Sequence, residues 1–169
     1  DYPMIRTALT VLETTGSGIS TNTISELLRS PFLGGTETEL ASRSLLDAEL
    51  RKSGETAFDI PTLKKAAKRH GCSQFLGLLN AYQAASLNLP TQQRPAKWTD
   101  SFTTLLSALE WPGDRTLSST EYQTLEAWQE ALSRFAAMDR VVGDISRDRA
   151  IKILKRNLVE SAFQPETGD

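Results

Sequence analysis

Apolar residues in this chain recur at three- and four-residue intervals almost from end to end, and no run of four to eight residues strictly alternates apolar with polar. That is the period of an α-helix with one buried face, and it argues against a protein built on sheets. The expectation is an all-α fold of about eight helices with essentially no sheet. Ile5, Ala8, Leu9 and Leu12 mark the first helix, which ends near Gly16 and Gly18. Ile24, Leu27 and Leu28 mark the second; Thr23 and Glu26 have capping-box spacing at its start, and Pro31 ends it by Ser30.

Thr36 and Glu39 repeat that capping spacing before a third helix, in which Ala41, Leu45 and Ala48 are expected inside, flanked by Leu46 and Leu50. Pro61 and Gly71 bracket a short basic fourth helix with Leu63, Ala66 and Ala67 inward. Ser73 is the expected cap of a fifth, whose stripe is Phe75, Leu78, Leu79 and Tyr82. After the connector LNLPTQQRP, Trp98, Phe102, Leu105 and Leu109 define a sixth helix, closed by the turn residues Trp111 to Asp114. Ser118 and Glu121 form a capping box, with Leu117 and Tyr122 placed for a hydrophobic staple, ahead of a seventh helix buried along Leu125, Trp128, Leu132 and Phe135. The eighth starts near Ser146 and carries Ile151, Leu154, Leu158 and Ala162 inward; the closing QPETGD reads as a loop or a cut end.

These helices are read as a single domain over residues 1–169, with a subdomain junction near residues 88–95 as the alternative. The capping boxes start at unequal intervals, so no repeat of fixed period is expected. The chain begins without Met, which suggests a fragment of a longer protein. A chain of this length buries roughly 70% of its unfolded surface and needs no disulfide or metal to fold. It has one cysteine, no basic leader and no apolar run long enough for a membrane span, so a cytoplasmic setting is expected, with no membrane partner.

Residue types also narrow the chemistry. His70 and Cys72 are the only histidine and the only cysteine, too few soft ligands for a zinc site. Cys72 is expected as a small buried hydrophobe and His70 as a last-turn residue favoured by the helix dipole. No phosphate-binding G-x-x-x-x-G-K-[ST] string occurs; Gly34 and Gly35 fit a tight turn better than an anion site. None of the seven lysines has an acidic residue two positions before it, so the paired acid and lysine of a PD-(D/E)xK nuclease are missing. Asp47 and Glu49 read as solvated surface. No catalytic residue, metal site or cofactor is therefore expected in this segment.

Two basic groups have the character of phosphate contacts. Lys64, Lys65, Lys68 and Arg69 share an arc of the fourth helix. Arg149, Lys152 and Arg156, at i, i+3, i+7, lie opposite the apolar stripe of the last helix. The other account of both is a solvated face that complements a helix C-terminus. Trp98, Phe102, Trp128 and Phe135 sit at core spacing and are not expected as base-stacking platforms.

The string LLRSPFLGG from Leu27, the following ELASRSLLDAELR from Glu39, EWPGDRTLSSTEYQ from Glu110 and FQPETGD from Phe163 together resemble a helical region of bacterial probable DNA repair proteins. Those proteins are similar to the B subunit of the AddAB helicase and nuclease, with a superfamily 1 helicase-like body and a C-terminal PD-(D/E)xK nuclease domain. The resemblance implies a non-catalytic helical module that binds or guides DNA, single-stranded or at a duplex end, or braces the neighbouring motor and nuclease domains. It makes Arg29 a DNA-facing candidate beside Lys64, Lys68, Arg149, Lys152 and Arg156. The alternative is a helical protein-interaction domain with no nucleic-acid contact.

Overall fold

A computed structural model describes residues 2–162; the FQPETGD stretch, with the loop expected at its end, lies outside the described residues. The chain divides into two compact units, Pro3–Leu89 with Thr104–Thr116, and Pro90–Thr103 with the residues from Leu117 onward. In the first unit the order is α1 (Pro3–Glu13), β1 (Ile19–Ser20), α2 (Thr21–Arg29), α3 (Leu40–Lys52), β2 (Ala57–Phe58), α4 (Ile60–Arg69) and α5 (Ser73–Ser86). The second holds β3 (Gln92–Gln93), most of α6 (Pro95–Ala108), α7 (Ser119–Ala137), α8 (Asp139–Val142), β4 (Ile145–Ser146) and α9 (Arg147–Ala162).

The protein is mostly helical, but two small antiparallel sheets correct the expectation of none. Ile19 lies opposite Phe58 and Ser20 opposite Ala57; Gln92 lies opposite Ser146 and Gln93 opposite Ile145. Two-residue strands are shorter than any alternation that a sequence window resolves. Each unit thus repeats one device, a short strand leading directly or after one residue into a helix, with two such strands paired. The four-residue α8 was also missed, being too short to show a period.

In the first unit, Met4, Ala8, Val11 and Leu12 of α1 are buried, as are Ile24, Leu27 and Leu28 of α2 and Leu63, Ala66 and Ala67 of α4. The expected stripe of α5 is buried in full. Each large apolar side chain so buried contributes about 1.5–3 kcal/mol. Helix α3 departs from expectation: Leu45 is 63% exposed and Ala41 is exposed, while Arg43, Leu46, Asp47 and Leu50 face inward. The rotation follows from two ionic side chains that find partners inside. Asp47 accepts from the Ser25 hydroxyl and, at 2.7 Å, from Arg51. Arg43, 1% exposed, donates to the Gly34 carbonyl at 2.6 Å and to Thr36 Oγ1 at 3.0 Å, and lies over the Phe75 ring at 5.4 Å. Burial lowers its guanidinium pKa, with Glu39 acting in the opposite sense.

The capping boxes expected at the first two sites are also corrected. Ser20, not Thr23, caps α2, accepting from the Thr23 N–H at 3.1 Å. The Thr36 hydroxyl donates to the Ser30 and Leu33 carbonyls, and the Glu39 carboxylate caps α5 instead, accepting from the amides of Gln74 and Phe75. The box of Ser118 and Glu121 forms as expected at α7, although Tyr122 is exposed.

Residues 30–36 interlock with residues 109–115. The Gly34 N–H donates to the Leu109 carbonyl at 3.1 Å, the Gly35 N–H to Asp114 at 2.8 Å, and Arg115 lies over the Phe32 ring at 5.4 Å. Gly113, at φ 100°, presses against the backbone of this loop, where a Cβ would fall 2.7 Å from the Pro31 carbonyl oxygen.

In the second unit, Trp98 stacks on Phe102 with ring centroids 5.5 Å apart and donates its indole N–H to the Ile145 carbonyl at 2.8 Å. Trp128, Leu132 and Phe135 of α7 are buried with Ile151 and Leu154 of α9; Ile153 joins them, while Leu125 and Leu158 are half-buried. Asp139 caps α6 by accepting from the Ala96 N–H at 2.8 Å.

Two substitutions test this account. Arg43→Met removes the buried countercharge of the Glu39 carboxylate and the guanidinium donor to the Gly34 carbonyl, and is expected to cost about 3 kcal/mol in urea unfolding. Gly113→Ala meets both an unfavourable φ and a backbone oxygen and is expected to cost about 2 kcal/mol or more by the same measurement.

Candidate nucleic-acid interface

The last helix starts where Ser146 accepts the Arg149 N–H at 3.2 Å, an N-cap bond that fixes the register of every following side chain. Ala150, Ile151, Ile153 and Leu154 are drawn inward, and Arg147, Asn157, Leu158 and Ser161 are half-buried. Arg149, Lys152 and Arg156 are all exposed. Their spacing places them within an arc of roughly 60°, along about 10 Å of helix, at 100° and 1.5 Å per residue. Lys155 is exposed beside them, a cation that the strict i, i+3, i+7 pattern leaves out. Long basic side chains in this array place positive charge at the surface, suited to phosphate contact without base readout.

The basic arc of α4 is a weaker array, because half of it serves the fold. Lys64 donates to the Gln83 side chain, and Arg69 bonds Glu49 at 3.0 Å. Lys65 and Lys68 are the exposed members that carry no such bond. Glu49 also meets His70, Nε2 to Oε2 at 2.6 Å, so Glu49 is not the merely solvated group that the sequence suggested, and His70, expected at the helix end, there pairs with a carboxylate. His70 first, and then Arg69, hold the Glu49 carboxyl below its ordinary value.

Arg29 ends α2 with its guanidinium exposed, and its Nε–H donates to the Ser25 carbonyl at 3.1 Å. It is the exposed cation of a stretch otherwise occupied with structure: Ser30, Phe32, Gly34 and Gly35 all belong to the interlocked loop. Two of the four stretches singled out in the sequence therefore meet, LLRSPFLGG against EWPGDR, and their residues serve that packing.

Cys72 is fully buried and burial pushes its thiol pKa up, away from nucleophilic use. Among the described residues no group of three or more His, Cys, Asp or Glu is placed to hold a metal ion, and no helix is long and apolar enough to cross a membrane. Comparison with protein-family models, curated proteins and solved structures finds no match.

The Glu49 pair gives a pH dependence of definite sign. A carboxyl whose folded pKa is depressed stabilises the fold above its ordinary value of 4.5 and loses that contribution as the pH falls below it. Urea midpoints measured from about pH 3 to 7 should therefore show wild type more stable than Glu49→Gln near neutrality, with the gap closing on the acid side.

Proposed function

We propose that this chain is a non-catalytic helical module that contacts DNA and braces neighbouring domains in a DNA repair helicase-like nuclease acting on double-strand ends. The observation that carries the DNA contact is the exposed row of Arg149, Lys152 and Arg156 on α9, backed by a buried face that fixes its direction. A row of this length, about 10 Å, spans roughly three phosphates of one strand at 3.4 Å each. The resemblance of the chain's loop and helix stretches to AddAB-like proteins supplies the setting, a strand guided past motor and nuclease domains. No cofactor is assigned to the segment itself, and hydrolysis is assigned to the parent's other domains.

The competing reading is a helical protein-interaction domain without nucleic-acid contact. It draws on Leu40 and Leu45, which α3 leaves 59% and 63% exposed.

Binding to a single-stranded or tailed oligonucleotide separates the two. Three phosphate contacts to a single strand predict a slope of log affinity on log salt near −2, so affinity should fall roughly 15-fold between about 50 and 200 mM salt. Combining Arg149→Glu, Lys152→Glu and Arg156→Glu should weaken binding by roughly tenfold or more and flatten that slope. Absence of binding at low salt sinks the DNA assignment and favours the interaction domain.

A further inference from the structure

We propose that the groove between α5 and the end of α6 binds an alkylammonium group, the chemistry of a lysine side chain. The groove is open, with a volume of about 460 Å³. That lies inside the range of ordinary ligand pockets, about 300–1,000 Å³. Gln74, Gly77, Leu78 and Ala81 of α5 line it, together with Ser107 and Ala108 of α6 and with Glu110.

Two of these residues go against their backbone, in opposite senses. Gly77 sits inside α5, where glycine is the weakest ordinary helix former, and nothing lies within 4 Å of where its Cβ would be. No close approach explains the missing side chain. Glu110, at φ 55°, holds the left-handed conformation in which helices commonly end on glycine, a conformation that is unfavourable for a residue with a Cβ. A side chain is absent where the helix favours one and present where the turn favours none. Both departures border one groove, and local rules fail in this way where a site overrides them.

The groove offers acceptors and no cation. The Glu110 carboxylate has no hydrogen bond or ion pair among the described residues. Gln74 donates from Nε2 to Thr38 Oγ1 at 3.0 Å, which leaves its side-chain oxygen open. The two groups lie on neighbouring residues of one loop: a Cβ on Gly34 would strike the Glu110 carboxylate, and one on Gly35 would strike the Gln74 oxygen. Arg43 also borders Gly35, but it is buried and bonded to the Gly34 carbonyl, and the carboxylates that act on it are Glu39 and Asp114. No lysine, arginine or histidine lines the groove, so an anion finds no partner there. An ammonium brings three donors and no acceptor, and its methylene stem suits the surface of Gly77, Leu78, Ala81 and Ala108. The site uses none of the α9 cations, so either assignment can fail while the other stands.

The test titrates the 169-residue chain with n-butylammonium, n-butanol and ammonium, then with a short lysine-containing peptide and with spermidine. The readout is the NMR shift of the Ala81 and Ala108 amides. Butylammonium should shift these signals saturably. Butanol, which lacks the charge, and ammonium, which lacks the stem, should each bind at least roughly threefold more weakly. Glu110→Gln should lose roughly three- to fivefold in butylammonium affinity. Gly77→Leu fills the groove and should abolish the shifts. Glu110→Gly and Gly77→Leu should nonetheless unfold in urea at or above the wild-type midpoint, which no structural role for the native residues produces. A peptide that binds more tightly than spermidine assigns the cation to a partner chain, and spermidine binding as tightly or more tightly assigns it to a free polyamine; both uphold the site. Unshifted signals, butanol binding as well as butylammonium, a Glu110→Gln variant that binds as wild type, or a lowered midpoint for either glycine exchange each overturn it.

Discussion

A permanently charged guanidinium held out of water is the constraint around which the first unit is arranged. Arg43 cannot shed its proton at any ordinary pH, so every face of it needs an acceptor or a polarisable neighbour. The Gly34 carbonyl, Thr36 Oγ1 and the Phe75 ring supply most of them, and the Glu39 carboxylate lies 3.7 Å from Nε, at ion-pair distance, with no hydrogen bond formed by that Nε–H. Meeting these demands fixes the path of residues 30–39, and that path is what the segment after α6 packs against. The same demands turn α3 so that Arg43 and Asp47 point inward while Leu45 meets solvent. Cys72, beside this cluster, stays a neutral thiol because burial outweighs the neighbouring positive charge.

Where local rules sufficed, the sequence could be read directly. The stripes of α2, α5, α6 and α7 combine large apolar residues at helical spacing with no inward charge, and they are buried as expected along most of their length; in α1, Ala8 and Leu12 are buried as expected, but Met4 and Val11 are buried where Ile5 and Leu9 are only half-buried. Local rules failed where a remote residue changed the outcome. Thr36 and Glu39 have the spacing of a capping box, yet each is claimed by another part of the chain. The N-termini of α5 and α6 are served by Glu39 and Asp139, distant in sequence, so nothing beside Ser73 or Pro95 could announce them. Helix α3 was misassigned because its leucines outweighed its charges in a rule that places ions outside. The paired strands escaped notice because a two-residue ladder leaves no period.

The candidate surfaces were legible to differing degrees for the same reason. On α9 the cations and the apolar stripe share one helix, so their separation follows from spacing alone. On α4 the spacing was visible, but the acceptors that engage Lys64 and Arg69 come from α5 and α3. Arg29 was singled out through its surrounding string, and its bond to the Ser25 carbonyl follows from the helical spacing of the two residues.

The remote cap on α5 carries a consequence for how the first unit comes apart. Its amides at Gln74 and Phe75 are closed by a carboxylate about 35 residues upstream. That carboxylate is in place only while the stretch between α2 and α3 keeps its shape. Fraying of α5 from its leading end is therefore tied to melting elsewhere, and the helix has little freedom to open alone. Amide exchange along its first turn would then follow cooperative opening of the whole unit, and the long-range closure it depends on belongs among the slower steps of folding.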